Sequence, residues 1–87
     1  NMLTIKILDR SYQVKCSPEE ARELEIATHY LEQQMRQIQQ TSHDNIERLT
    51  IITALNIAHE LLHLTQRLQE LQQYIQKFLV TATEVAV

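Results

Sequence analysis

The 87-residue chain contains no glycine, no tryptophan, one proline (Pro18), one cysteine (Cys16) and one phenylalanine (Phe78). Each shortage narrows what the chain can be. Without glycine, tight left-handed turns and phosphate-cradling loops are hard to build. Long helices are therefore favoured over a many-stranded sheet. A lone cysteine forms no internal disulfide, which fits a reducing compartment such as the cytoplasm. No apolar run approaches the ~20 residues that span a bilayer, so no membrane association is expected. Met2 leads straight into an alternating pattern, and no secretory leader is expected at this end. Excess positive charge is also missing: the net charge is −3, which argues against nonspecific nucleic-acid binding.

Charge is unevenly spread. Residues 1–17 carry Lys6, Arg10 and Lys15 against Asp9, whereas residues 18–42 carry five glutamates against Arg22 and Arg36. The N-terminal segment is thus the one stretch suited to an acidic partner; its plainer reading is a solvated strand face.

What is present is pattern. Residues 2–8 set Leu3, Ile5 and Ile7 against Thr4, Lys6 and Leu8, and residues 12–16 set Tyr12, Val14 and Cys16 against Gln13 and Lys15. Alternation of period two predicts two strands with one buried face. Asp9-Arg10-Ser11 reads as the turn between them. A two-stranded hairpin is not stable alone, so its apolar face must lie on something else. Cys16 falls in the apolar phase and reads as a small buried hydrophobe, not a nucleophile.

Ser17-Pro18-Glu19-Glu20 predicts a helix start, with Ser17 as cap, Pro18 at the first position and Glu20 closing a capping box. Ala21, Leu24, Ala27, Leu31, Met35 and Ile38 then form one stripe, giving a helix to about Gln40. Residues 41–45 form a polar break, where Asp44 and Glu47 make a second capping-box pattern. From there to about Thr83 nothing interrupts a helix, and ~40 residues at 1.5 Å rise give a rod of roughly 60 Å. The fold class is α+β: a head of hairpin plus first helix over 2–44, then a long coiled-coil helix over 45–87.

The seam of that helix is explicit. Leu61, Leu64, Leu68, Leu71, Ile75, Phe78 and Ala82 alternate in spacing between three and four, an a/d heptad with Leu61 at a. From Leu49 to Leu62 the apolar residues cover more than one face, so this half is expected to be buried on several sides by the head and a dimer contact. The flanking positions hold Thr65, Arg67, Gln72, Tyr74, Leu79 and Thr81, nearly free of paired charges. Leu79 widens the apolar stripe and favours more than two helices at the distal end. Spacing leaves parallel and antiparallel arrangements open. The alternative to self-association is an intramolecular helical hairpin, but the first helix is too short to cover the second.

His59-Glu60-Leu61-Leu62-His63 matches H-E-x-x-H, the helical pattern in which two histidines bind zinc and the glutamate activates water. A catalytic zinc needs a third protein ligand, and the other histidines are only His29 and His43. The heptad frame places His59 at f and His63 at c, away from the seam. The match reads as coincidental, with at most a weak adventitious site. No metal, cofactor or catalytic residue is expected, and no enzyme activity.

These pieces, in this order, resemble the ZapA family of bacterial cell-division proteins over almost the whole chain. The resemblance rests on Ile5-Lys6-Ile7-Leu8-Asp9-Arg10 with Tyr12 and Val14, on Cys16-Ser17-Pro18-Glu19-Glu20, and above all on Thr53-Ala54-Leu55-Asn56-Ile57-Ala58-His59-Glu60-Leu61. It implies a small head, a homodimer, and a dimer of dimers joined through the coiled coils. It further implies a non-catalytic role: binding the tubulin-like GTPase FtsZ at the mid-cell division site and cross-linking its filaments in the Z-ring. Carried over by position, Lys6, Arg10 and Glu47 are the candidate FtsZ contacts. Leu55, Asn56 and Leu61 become dimer or register residues, with Asn56 a buried polar group. Leu64, Leu68, Leu71, Ile75, Phe78 and Leu79 form the coiled-coil contact. Other basic positions of the family head fall on Gln13, on Gln39 and near His43. The alternative function is a generic coiled-coil oligomerisation module with another partner.

Overall fold

In the computed structural model the backbone is described for residues 1–86 and the side chains through Ala82. Four elements follow one another: β1 (Met2–Ile7), β2 (Arg10–Lys15), α1 (Pro18–Thr41) and α2 (Ile46–Ala86). The chain divides into two compact units, Asn1–Thr53 and Ala54–Val87. The first takes in the hairpin, α1 and the opening of α2; the second is the remainder of α2.

β1 and β2 pair antiparallel, from Met2 opposite Lys15 to Ile7 opposite Arg10. The turn is tighter than its composition predicts. Arg10 and Ser11 join β2, and Leu8-Asp9 alone connect the strands. A two-residue hairpin loop calls for positive φ at its first or at both positions, normally supplied by glycine or asparagine. Here Leu8 takes it, with φ 56°. Left-handed backbone at a side chain of this kind costs about 1–2 kcal/mol. The cost is met locally, because the Leu8 N–H donates to the Glu32 carboxylate of α1 at 2.9 Å. A hydrogen bond to a charged acceptor contributes about 1.5–3 kcal/mol, less where partly solvated. The two terms are of the same order, so the tip is held on α1 without a glycine.

The register sorts the hairpin into two faces. Leu3, Ile5 and Ile7 stand opposite Val14, Tyr12 and Arg10. Leu3, Ile5, Ile7 and Val14 are half-buried, and α1 packs on β1. Met2, Thr4 and Lys6, opposite Lys15, Gln13 and Ser11, make the other face.

α1 starts as its sequence predicts. The Ser17 hydroxyl oxygen accepts from the Glu20 N–H at 3.3 Å, and the Glu20 carboxylate accepts from the Ser17 N–H at 3.1 Å. The half-buried stripe runs through Ala21, Leu24, Thr28, Leu31 and Ile38, with Met35 buried; Ala27 is exposed. Thr28 replaces Ala27 in the stripe because it completes the three-four spacing, and its hydroxyl is satisfied by the Leu24 carbonyl at 2.7 Å.

The start of α2 also differs from the Asp44–Glu47 pattern. The Asn45 side chain caps it, accepting from the Arg48 N–H at 2.8 Å, while the Asn45 carbonyl accepts from the Leu49 N–H at 2.9 Å. Asp44 accepts from the Ser42 hydroxyl instead and pairs with Arg48 at 3.2 Å. One residue's shift of the helix start decides between two adjacent capping side chains.

The deepest residues of the first unit are Met35, Leu49 and Thr53, each at most 3% exposed. Thr53 is buried without an orphaned polar atom, since its hydroxyl donates to the Leu49 carbonyl at 2.8 Å.

Candidate interaction surfaces

The first unit presents an apolar cavity of about 310 Å³ lined by Ile7, Arg10, Tyr12, Leu31, Met35, Ile46 and Thr50. Its walls come from the inner hairpin face, from α1 and from the first turns of α2. α1 covers β1, whereas Tyr12 on β2 remains 47% exposed. Arg10 brings the one charged head group to this lining.

Of the candidate contact residues, Lys6 and Arg10 lie on opposite faces of the hairpin. Arg10 lies beside the hairpin loop and on the cavity face, opposite Ile7. Lys6 lies on the other hairpin face, opposite Ser11. Glu47 sits exposed in the first turn of α2, where a carboxylate is favoured by the helix dipole.

Glu32 was not legible as a site residue, because its partner Leu8 lies 24 positions away. One of its oxygens serves Leu8, and the other faces Arg36 Nε at 3.6 Å. Fixing this carboxylate fixes the loop from which Arg10 leaves.

In the second unit the heptad residues Leu61, Leu64, Leu68, Leu71, Ile75 and Phe78 are all exposed, from 47% at Ile75 to 65% at Phe78. Leu79 and Tyr74 beside them are exposed as well. Leu55 and Asn56, at the start of this unit, are also exposed in the single chain. So are Ile51, Ala58 and Leu62, which the sequence pattern places among residues buried on several sides. In a single chain the faces they occupy are bare. Burying one large apolar side chain contributes about 1.5–3 kcal/mol. Six seam residues therefore hold roughly 10 kcal/mol or more that a single chain does not realise.

His59 and His63 stack edge to face with ring centroids 4.6 Å apart. Both are exposed. Among the described residues no three His, Cys, Asp or Glu side chains gather around a possible metal position, and no helix is long and apolar enough to cross a membrane.

The family model for "Cell division protein ZapA" matches residues 3–86. A protein of that name from Pseudomonas aeruginosa (strain PAO1) is 39% identical, over 80% of this chain and 68% of its own. One from Yersinia pseudotuberculosis serotype O:1b (strain IP 31758) is 33% identical, over 87% of this chain and 81% of its own. Among solved structures, an "Unknown conserved bacterial protein from Pseudomonas aeruginosa PAO1" superposes with a TM-score of 0.69 at 35% identity, covering 97% of this chain and 93% of that one. With both helices and all but the first residue of the hairpin inside the matched span, the chain belongs to the ZapA family of cell division proteins.

Proposed function

We propose that this chain is a non-catalytic cell-division accessory protein that binds FtsZ and cross-links its protofilaments, stabilising the Z-ring at mid-cell in the cytoplasm. The observation that carries the reading is the bare heptad seam of α2, Leu61 through Phe78, in a chain of a cell-division family. A seam of this length calls for other copies of the same helix. A dimer whose heads pair near Leu55, Asn56 and Leu61, joined to a second dimer through Leu64, Leu68, Leu71, Ile75, Phe78 and Leu79, gives a homotetramer. Two sets of heads held apart by stiff helices bridge two filaments, and linkage turns weak single contacts into tight overall binding. The head comprises residues 2–44 with the first part of the long helix docked against it; the remainder, to residue 87, is the coiled coil. Lys6, Arg10 and Glu47 are the head residues assigned to FtsZ.

Co-sedimentation with FtsZ polymers tests the reading. The expected result is pelleting of the chain only when FtsZ is assembled, with bundles visible by electron microscopy. A tetramer that never pellets with FtsZ would leave only the alternative, a coiled-coil oligomerisation module with another partner.

A further inference from the structure

We propose that His59 and His63 form a two-imidazole chelate for a divalent transition-metal cation of the zinc class, which clamps one turn of α2 without taking part in any reaction. The residues are one helical turn apart, and their rings meet edge to face with centroids at 4.6 Å. Two imidazoles bound to one ion at about 2.0–2.1 Å have centroids roughly 4.5–5 Å apart, for angles between right and tetrahedral. The observed spacing falls within that range. Rotation about the broad terminal torsion of each histidine brings one nitrogen from each ring to a common point.

The surroundings define the site's character. Glu60, Leu64 and Arg67 line the same shallow depression as the two histidines. Glu60 adds negative charge beside the cation, and Arg67 opposes it. Two protein ligands leave the remaining coordination positions to water, so the site is a clamp of modest affinity, unlike a closed structural zinc centre. Its consequence is mechanical. The chelate exists only where the turn is helical, so the ion stabilises the helical state by mass action. The turn in question opens the bare seam. The heptad frame sets His59 at f and His63 at c, off the a/d seam, while the seam residue Leu64 borders the same depression.

The experiment titrates zinc into the full chain and reads binding by calorimetry and helix melting by circular dichroism at one fixed chain concentration. One ion per chain is expected, with a rise in Tm. His59→Gln and His63→Gln should each weaken binding by about tenfold or more, because the second ligand of a chelate acts at high effective concentration. Both should melt like the parent without zinc and lose the zinc-dependent rise. A chain carrying Cys16→Ser, His29→Gln and His43→Gln should bind as before. Equal affinity in the parent and both histidine variants would overturn the proposal. So would loss of binding in the triple variant, or one ion per two chains with a doubled mass. None of these readouts involves FtsZ, so the site and the filament role stand or fall separately.

Discussion

The backbone N–H of Leu8 and the carboxylate of Glu32 meet at 2.9 Å across 24 residues of sequence, and this one hydrogen bond ties the hairpin loop to α1. It sits under the only positive-φ residue found among the described ones. Glu32→Ala removes the acceptor and leaves the strained loop unsupported. A loss of about 1–3 kcal/mol is expected, read from urea unfolding at a fixed chain concentration. Glu32→Gln keeps an acceptor oxygen and should lose less than half as much. Equal losses would show that charge, not the acceptor, holds the loop.

Glu20 links pH to the first helix. The backbone N–H of Ser17, and then its hydroxyl, hold the Glu20 carboxyl below its ordinary value of 4.5. A carboxylate depressed in the folded state contributes stability above its unfolded pKa and loses it as pH falls through the folded pKa. Glu20→Gln preserves the capping box with a neutral acceptor. The variant should therefore lose less helix than the parent between about pH 5 and pH 3, with little difference at neutral pH. Parallel acid limbs for the two proteins would count against the Ser17–Glu20 bond in solution.

Thr53 is fully buried, and its methyl and hydroxyl play separable parts. Thr53→Ser deletes a buried methyl and should cost about 1 kcal/mol. Thr53→Val keeps the shape and removes a hydroxyl whose only partner among the described residues is a carbonyl of its own helix. It should be close to neutral. A larger loss for valine than for serine would mean that the hydroxyl meets a second partner in the assembled protein.

Leu79 lies beside the seam and is exposed in the single chain. In the proposed tetramer, Leu79→Glu puts charge on the distal contact alone, and it is expected to give folded dimers in place of tetramers. Light scattering coupled to size exclusion reads the mass. An intact tetramer would exclude Leu79 from that contact.

Arg10 and Lys6 occupy opposite hairpin faces, set by the pairings Ile7–Arg10 and Lys6–Ser11. If the proposed FtsZ contact uses Arg10, Arg10→Glu should reduce pelleting with FtsZ several-fold while leaving the oligomer unchanged, because reversed charge at a polar contact penalises binding more than folding. Lys6→Glu should have the smaller effect. The reverse order would move the filament-binding face to the Lys6–Lys15 side.

Much of this was readable from residues alone, and the reason differs by element. The Ser17–Glu20 box involves partners three residues apart, so local chemistry decides it. The α2 seam is legible because a spacing of three and four survives over many turns. The hairpin loop is not legible. Composition points to Asp9-Arg10-Ser11, but a distant carboxylate lets Leu8 bear the positive φ and draws Arg10 and Ser11 into β2. The Ala27–Thr28 exchange escapes a count of apolar residues, since a threonine bonded to its own helix behaves as a small hydrophobe. Asp44 and Asn45 are adjacent and both able to cap, and only the helix start chooses between them. The placement of Lys6 and Arg10 on different faces follows from the register, which depends on the loop.

The bare seam of α2 has a consequence for supply. In the proposed assembly the chain realises much of its apolar burial only in company, so it has no fixed stability of its own and its state depends on how many copies surround it. While most chains are free, doubling their number raises paired chains about fourfold and four-chain assemblies about sixteenfold. In the proposed role, small changes in synthesis would thus be amplified into large changes in the number of filament bridges.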